Sequence, residues 1–327
     1  MRITALAGGI GGARFLRGLL HHLRTSSSPE RREAEVTVIG NTADDITLHG
    51  LRVCPDLDTV MYTLGGGIEE SQGWGRREET FSVAEELAAY GAEPQWFTLG
   101  DRDIATHVLR THLLGLGYTL SQVTAALCAR WQLGVTLLPM SDDSVETHVV
   151  VADDDAEGGQ RAVHFQEWWV RLHAAVPARR IVAVGAERAG PAPGVLEALR
   201  DADVVLLPPS NPVVSIGTIL SVPGVRDALR GTRAPVVGVS PVIGGAPVRG
   251  MADACLATLG LPATAEAVGG LYADLLDGWL VDTTDGHLTG LPGARARVLA
   301  RPLLMTDVEA AAGIAGAALD LATEVRR

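Results

Sequence analysis

Short apolar runs alternate with helical spacing near the start of the chain. Residues 3–7 form an apolar run that ends in the glycine-rich stretch of residues 8–12. Apolar side chains then recur at three- and four-residue spacing up to residue 23, which indicates an amphipathic helix. Residues 35–39 begin with glutamate and continue with four β-branched residues, and they predict a second buried strand. A strand, a glycine loop, a helix and a strand together predict a βαβ unit with parallel strands.

The same alternation returns in the second half of the chain. Residues 181–184, 204–207 and 236–239 are short β-branched or leucine runs, and segments with helical spacing separate them. We expect all three runs to join the parallel sheet. Residues 153–159 are acidic and contain glycine, so they predict an exposed hairpin tip.

The middle of the chain is mostly helical in pattern, at residues 82–90, 104–114 and 120–131. We therefore predict an α/β fold in which residues 1–57 and 132–327 form a nucleotide-binding core. Residues 58–131 are predicted to be a mainly helical insertion, which forms a lid over the carboxyl ends of the strands. Ligands bind at that edge in open α/β sheets.

The first glycine cluster predicts a phosphate site. Gly8, Gly9, Gly11 and Gly12 follow a strand and precede a helix, so backbone N–H groups and the helix N-terminus can approach phosphate oxygens. A tight turn between strand and helix is the alternative reading. The dinucleotide fingerprint fails because Arg14 stands where its last glycine would be, and the second strand ends without an acidic residue. These departures argue against NAD.

Carboxylates cluster soon after the second strand. Asn41, Asp44 and Asp45 come directly after it, and Asp56 and Asp58 follow closely. Paired carboxylates beside phosphates suit Mg²⁺, which takes one or two carboxylates together with phosphate oxygens. Helix caps and turns are the alternative, because Asp and Asn favour both.

A third polar cluster opens the predicted helix near residue 104. Asp101 or Asp103 is expected to cap this helix, and Arg102 is a candidate anion ligand at its N-terminus. His107 and His112 are five residues apart and do not share a helix face, so we expect two buried structural histidines rather than a metal pair.

Two later strands also end in polar loops. Ser210 and Asn211 follow residues 204–207, and Ser240 follows residues 236–239. Strand ends that offer hydroxyls, amides and free N–H groups suggest one shared ligand crevice.

Composition removes several classes of function. The chain has 327 residues and 27 Lys plus Arg residues, and every one of these is arginine. A Walker A loop, a Schiff-base enzyme and a lysine general base are therefore excluded. The formal net charge of −12 argues against nucleic acid as a partner.

The three cysteines are far apart and form neither a zinc motif nor a disulfide framework. The start of the chain does not have the pattern of a signal peptide, and no apolar run suits a membrane span. A cytoplasmic protein without membrane contact is expected.

Taken in order, these motifs resemble the 2-phospho-L-lactate transferase family, which is called CofD in methanogens and FbiA in actinobacteria and makes coenzyme F420. The resemblance runs through nearly the whole chain, at residues 8–14, 41–45, 55–60, 99–103, 138–143, 165–166, 209–212, 215–216 and 240–244. Each motif is weak alone, and their order and number carry the assignment. Lysine is common in the family at the position of Arg14, glycine at Ala43 and serine at Cys54, and none of these departures removes a carboxylate.

The resemblance implies a Rossmann-like, Mg²⁺-dependent homodimeric enzyme. Such enzymes join a guanosine diphosphate ester to Fo, a deazaflavin whose terminal ribityl hydroxyl attacks the phosphorus that carries lactate or enolpyruvate, and GMP leaves. The insertion would then bind the deazaflavin.

On this reading Asp45 and Asp58 are the metal ligands, and either one is alternatively the group that orients or deprotonates the hydroxyl. The guanosine diphosphate part is expected at the glycine loop with Ser210 and Asn211, and Asn41 and Ser240 are further ligand candidates. Arg14 is the candidate partner of the donor's carboxylate, with a solvent-exposed helix arginine as the alternative. The Fo ring is expected near Asp58, Thr98, Asp101 and Arg102.

The donor and two other functions stay open at this point. The lysine-free, arginine- and alanine-rich composition, together with residues 12–15, resembles the actinobacterial branch, which favours the enolpyruvyl ester over the lactyl ester. YvcK-type regulators of carbon metabolism share the glycine loop and the Asn-Thr-x-Asp-Asp run and bind a UDP-sugar. The motifs at residues 57–60 and 99–102 argue against that reading. An NAD-dependent oxidoreductase is the third alternative.

Overall fold

The computed structural model describes residues 1–325 apart from residues 154 and 157. The predicted hairpin tip at 153–159 therefore lies partly outside the described residues. The strands, numbered in chain order, are β1 (Arg2–Ala7), β2 (Glu35–Gly40), β3 (Ile46–Leu48), β4 (Leu51–Val53), β5 (Thr136–Pro139), β6 (Glu146–Ala152), β7 (Gln160–His164), β8 (Ala178–Val184), β9 (Val204–Leu207), β10 (Val236–Val239), β11 (Val242–Ile243), β12 (Ala246–Pro247), β13 (Gly278–Val281) and β14 (Arg297–Ala300).

The helices connect these strands. They are α1 (Gly9–Thr25), α2 (Pro29–Arg32), α3 (Pro55–Leu64), α4 (Ser82–Ala89), α5 (Asp101–Gly115), α6 (Leu120–Ala129), α7 (Val195–Arg200), α8 (Ile216–Ser221), α9 (Val225–Gly231), α10 (Ala252–Ala257), α11 (Ala265–Gly270) and α12 (Val308–Glu324). Among the described residues, no helix combines the length and the apolar character that a membrane span requires.

A seven-stranded parallel sheet in the order β14-β13-β10-β9-β1-β2-β5 forms the centre of the fold. Ile3 and Ala5 point to one face, which α1, α3, α6 and α12 cover, and Leu6 points to the other face, which α7, α8, α9 and α11 cover. Strands buried on both faces have continuous apolar sequences, and this explains why β1, β2, β9 and β10 could be predicted. The predicted α/β class with a parallel sheet is confirmed.

Residues 181–184 form a strand as predicted, but the expectation that they join the parallel sheet was wrong. They belong to β8, which pairs antiparallel with β6 in a separate three-stranded sheet of order β7-β6-β8. No residue of β8 is fully buried, whereas all four residues of β9 are. A half-exposed strand suits an antiparallel sheet with one solvated face. The run of apolar residues alone did not carry that distinction.

The insertion shares the core of the sheet. α3 runs from Pro55 to Leu64, so the predicted boundary at residue 58 lies inside a helix, and α3 and α6 both contribute to the core cluster that contains α1. The end of α5 packs against that cluster through Leu113 and Leu114, whereas α4 contributes no residue to it. The antiparallel β3–β4 hairpin, which sequence reasoning missed, returns the chain so that Ile46 faces Val53. It thereby brings the residues before β3 next to the start of α3.

Candidate functional site

The carboxyl ends of β1, β2 and β9 meet where the sheet order changes direction. From β1 the chain continues to β2 on one side, and the later strand β9 lies on the other side. Such a point is the usual ligand crevice of open α/β sheets. Gly8 follows β1, Asn41 follows β2, and Ser210 lies just beyond β9.

The glycine loop is packed closely against its neighbours. A Cβ at Gly8 would lie 2.5 Å from Asp56 Oδ2, and a Cβ at Gly12 would lie 2.7 Å from Ser210 Oγ. A Cβ at Gly11 would collide with the carbonyl oxygen of Pro209, and Gly9 has a φ of +60°, which favours glycine. These four glycines are thus explained by close backbone approach. Their contact with phosphate stays a prediction.

Asn41 uses its whole side chain to join three loops. Its Nδ2 donates to Asp56 Oδ2 at 2.9 Å and to the Val214 carbonyl at 3.2 Å. Its Oδ1 accepts from Ala43 N at 3.1 Å and from Thr218 Oγ1 at 2.8 Å. Asn41 therefore positions Asp56 and the loop after β9, and its predicted contact with a nucleotide is untested.

Three buried carboxylates lie in the segments that follow Asn41. Burial raises the pKa of Asp56 to about 6, against the hydrogen bonds from Asn41 and the Gly9 N–H. Burial, and then repulsion from Asp56, raise the pKa of Asp44 well above its ordinary value. Burial also raises the pKa of Asp45 to about 7, although Arg52 lowers it.

These carboxylates are incompletely satisfied. Asp44 Oδ1 and Asp45 Oδ1 are buried without a hydrogen-bond partner, and Arg52 Nη2 lies 3.5 Å from Asp45 Oδ2. Burying charge without compensation costs several kcal/mol, so groups of this kind mark functional sites.

Asp58 is fixed by a residue that sequence reasoning missed. The guanidinium of Arg110, buried on α5, donates to Asp58 Oδ1, to His107 Nδ1 at 3.0 Å and to the Arg52 carbonyl at 3.3 Å. Asp58 Oδ2 has no hydrogen-bond partner and lies 3.8 Å from His107 Nδ1. One oxygen is thus hydrogen-bonded to the insertion, and the other keeps its hydrogen-bonding capacity. The sequence signal for Arg110 was an arginine at a position of the predicted helix where the pattern expects a buried apolar side chain.

The same network continues into the insertion. His107 Nε2 lies 3.2 Å from Asp103 Oδ2, and the Tyr62 hydroxyl donates to Asp103 Oδ1 at 2.6 Å. Burial alone would raise the pKa of Asp103, but His107, Tyr62 and Arg110 together lower it. His107 is buried as predicted. The prediction for His112 was wrong, because it lies on the exposed face of α5.

The polar side chains after β9 and β10 form hydrogen bonds with backbone groups of the protein. Ser210 Oγ accepts from Gly8 N and donates to Gly8 O, at 3.2 and 2.9 Å. Asn211 Oδ1 accepts from Val213 N at 2.9 Å, and Ser240 Oγ donates to Val242 O at 2.8 Å. These side chains hold the shape of the crevice, and their nucleotide contacts stay predictions.

The predicted Fo residues lie on the outer part of the insertion. Asp101 does not cap its own helix: it accepts from Ser82 N and Val83 N at the start of α4, at 3.1 and 3.0 Å. Glu79 instead caps α5, through Arg102 N at 2.7 Å.

The side chains of Thr98 and Arg102 are exposed, and Arg102 pairs with Glu78 at 3.0 Å. These residues therefore do not meet Asp58 in one cluster. Asp101 resembled a ligand group because an acidic residue before a helix has the same sequence pattern whether it binds a ligand or caps a helix.

Mg²⁺ fits the carboxylate cluster. Among residues 1–325 without 154 and 157, no group of three or more His, Cys, Asp or Glu side chains is arranged to hold a metal ion. Mg²⁺ needs only one or two protein carboxylates when phosphate oxygens and water complete its shell. The free oxygens of Asp45 and Asp58 provide such ligands, and Asp44 Oδ1 is a further one.

Comparison with known proteins identifies the family. Residues 3–293 match the family described as 2-phospho-L-lactate transferase CofD. The chain is 64% identical over 327 residues to a protein of Thermobifida fusca named phosphoenolpyruvate transferase, with 100% of this chain and 99% of that protein covered. A protein of Kitasatospora aureofaciens with the same name is 65% identical over 328 residues, with 100% and 99% covered.

A solved structure supports the fold independently. Protein BH3568 from Bacillus halodurans has a TM-score of 0.60 at 17% identity, with 97% of this chain and 98% of that chain covered. Identity this low supports the fold alone. The family match and the relatives along the whole chain confirm the resemblance and the transferase class, so the chain belongs to the 2-phospho-L-lactate transferase CofD family.

Proposed function

We propose that the protein transfers the phosphoenolpyruvyl group of enolpyruvyl-diphospho-guanosine to the terminal ribityl hydroxyl of Fo. The products are GMP and dehydro-F420-0, an intermediate of coenzyme F420 biosynthesis. The observation that carries this proposal is the name phosphoenolpyruvate transferase on relatives that are 64% and 65% identical along the whole chain. That name favours the enolpyruvyl donor over the lactyl donor.

The carboxylate cluster suits this chemistry. The ribityl oxygen forms a bond to the phosphorus that carries enolpyruvate, the bond from that phosphorus to the GMP oxygen breaks, and the hydroxyl proton passes to a carboxylate. Phosphoryl transfer requires positioning and charge neutralisation more than covalent help. Asp45 and Asp58 each keep one buried oxygen without a partner for these tasks. When bound, Mg²⁺ supplies positive charge against the diphosphate.

The acceptor is proposed to lie beneath the insertion, beside Asp58. Asp58 stands in the first turn of α3, and Arg110 on α5 covers it. The Arg102 side chain is exposed and pairs with Glu78 on the outer part of the insertion, so we expect little contact with a ring beside Asp58. Arg102→Ala should therefore leave Fo affinity close to the wild-type value, as measured by Fo fluorescence. A large loss of affinity would place the ring at the outer part of the insertion.

The decisive experiment is mass spectrometry of the product formed from Fo and each donor. The enolpyruvyl ester should give a product two hydrogens lighter than the lactyl ester gives. Product from the lactyl ester alone would overturn the donor and keep the transferase. Binding of a UDP-sugar without binding of Fo would favour the regulator instead.

Catalysis should depend on Asp45 and Asp58. Asp45→Asn and Asp58→Asn should each lower turnover by orders of magnitude with circular dichroism unchanged, because a charge is lost at a site that neutralises the transition state. Near-normal turnover in both variants would remove them from the mechanism. We further propose a cytoplasmic homodimer, and light scattering in solution tests the dimer.

A further inference from the structure

Three arginines converge beside the first turns of α1, and only one of them has an acidic partner. Arg17 pairs with Glu70 through both guanidinium nitrogens. Within the described part of the chain, Arg14 and Arg249 form no ion pair with a carboxylate. Two unpaired guanidinium groups in one place require compensation from solvent or from an anionic ligand.

Contacts around Gly73 place Arg249 beside the start of α1. A Cβ at Gly73 would lie 2.9 Å from Ile10 Cγ2 and 3.3 Å from Arg249 Nη1, so both side chains reach the same point. Ile10 and Arg14 are four residues apart on α1 and therefore share a helix face. Arg249 also donates to the carbonyl of Gln72, a neutral acceptor that leaves its charge uncompensated.

Electrostatics agree with this placement. Partial burial, and then the charges of Arg249 and Arg17, lower the pKa of Arg14, while Glu70 opposes the shift. The net effect of the neighbours is repulsive because Glu70 is already engaged by Arg17. The structure thus holds like charges together at the edge of the sheet where the glycine loop begins.

The position is suitable for an anion next to the glycine loop. Arg14 lies in the second turn of α1, and its charge interacts with that of Arg249. Arg249 belongs to the segment between β12 and α10. Because Ser210 and Asp56 occupy the N–H groups of Gly8 and Gly9, we expect a diphosphate at the following residues of the loop, with its neighbouring acidic group close to the two arginines.

We propose that Arg14 and Arg249 form a two-arginine clamp for the carboxylate of the donor, the group that distinguishes this substrate from a plain nucleoside diphosphate. The proposal rests on the proposed function. Guanidinium groups match carboxylates in a bidentate geometry, and two of them fix the orientation of the carboxylate as well as its position. The clamp would hold the acid end of the donor while the adjacent phosphorus faces the acceptor.

Steady-state kinetics test the clamp. Arg14→Ala and Arg249→Ala should each raise the KM for the donor about 10- to 100-fold, the cost of losing hydrogen bonds to a charged group. Inhibition by GDP, which has no carboxylate, should change by less than about twofold. Arg249→Lys keeps the charge without the fork and should lie between wild type and Arg249→Ala. Arg24→Ala, at an exposed position in the last turn of α1, is the matched control on the same helix, and donor KM should stay at the wild-type value.

The outcomes separate this proposal from the proposed function. Unchanged donor KM in both variants overturns the clamp and leaves the transferase intact. An equal rise in the GDP inhibition constant assigns the arginines to the diphosphate and also overturns the carboxylate clamp.

A second measurement does not depend on turnover. Calorimetry should show that wild type binds phosphoenolpyruvate more tightly than ethyl phosphate, and that Arg249→Ala abolishes the difference. Absence of that preference in the wild-type protein refutes the clamp, whatever the enzyme transfers.

Discussion

Replacing Asp45 by Asn should stabilise the metal-free protein at alkaline pH. Burial raises the pKa of Asp45 from 3.8 to about 7, so the folded state disfavours the charged form. The proton taken up on folding stabilises the protein fully below the unfolded pKa. That contribution is lost as the pH rises through the interval from about 4 to about 7.

The size of the effect follows from the shift. A change of about three pKa units corresponds to ~4 kcal/mol, of which ~2.5 kcal/mol is lost between about pH 5 and about pH 8. Asparagine has no charge to desolvate. The substitution also removes the ion pair between Asp45 Oδ2 and Arg52 Nη2, which is long at 3.5 Å. We therefore expect the free energy of unfolding of Asp45→Asn to exceed that of the wild type by about 1–3 kcal/mol at about pH 8. The difference should be smaller at about pH 5.

Urea denaturation with a chelator present measures this difference. Asp307→Asn is the control of opposite sign, because the Ala310 N–H and the Thr306 hydroxyl lower the pKa of this exposed cap on α12. Its charged form is the favoured one, so its replacement should not stabilise the protein at alkaline pH. If Asp45→Asn is less stable than the wild type at about pH 8, burial of the charged Asp45 carboxylate does not destabilise the folded protein and the reasoning is refuted.

Three further predictions concern the ion pair, the helix contact and the metal. Arg110→Met should cost about 3–5 kcal/mol in urea denaturation because it leaves a buried charge unpaired, and adding Asp58→Asn should recover much of the loss; a double variant as unstable as the single one contradicts this. Gly18→Ala should cost about 1–3 kcal/mol because its Cβ would enter the backbone of α12, whereas Gly231→Ala, which meets nothing within 4 Å, should be near neutral; equal melting temperatures would refute the close contact. Binding of Mg²⁺ at about pH 6 should release protons from Asp45, seen by calorimetry in buffers of different ionisation enthalpy; heats that do not depend on the buffer would exclude it.

The sheet was predictable because its strands carry their own signal. β1, β2, β9 and β10 are buried on both faces and end in glycine or polar loops, so a short apolar run locates each of them. β8 shows the limit of this signal. Its residues are apolar enough to resemble a core strand, and only its pairing with β6 distinguishes it. Pairing depends on contacts distant in sequence, which periodicity does not record.

The site was predictable in its residue types and not in its partners. Asp45 and Asp58 were chosen from the clustered carboxylates on the family resemblance, and the β3–β4 hairpin between them was missed because its strands are only three residues long. Arg110 lies far along the chain from Asp58 and reaches it through α5. Asp101 shows the opposite error: an acidic residue before a helix has the sequence of a ligand or a cap, and here it caps a different helix.

Glycine content is weaker evidence for phosphate than the balance of charge around it. Gly11 would be required with no ligand at all, since its Cβ would strike Pro209, so substitution there disturbs the fold before it tests binding. The charges are different, because packing does not demand them. Asp44 and Asp45 keep buried oxygens unpaired at the strand ends, while Arg14 and Arg249 stay unpaired with acids beside α1. A protein that keeps carboxylates and guanidinium groups apart at one edge of a sheet is complementary to a ligand that carries both positive and negative charge. A metal-chelated diphosphate ester with a carboxylate is such a ligand.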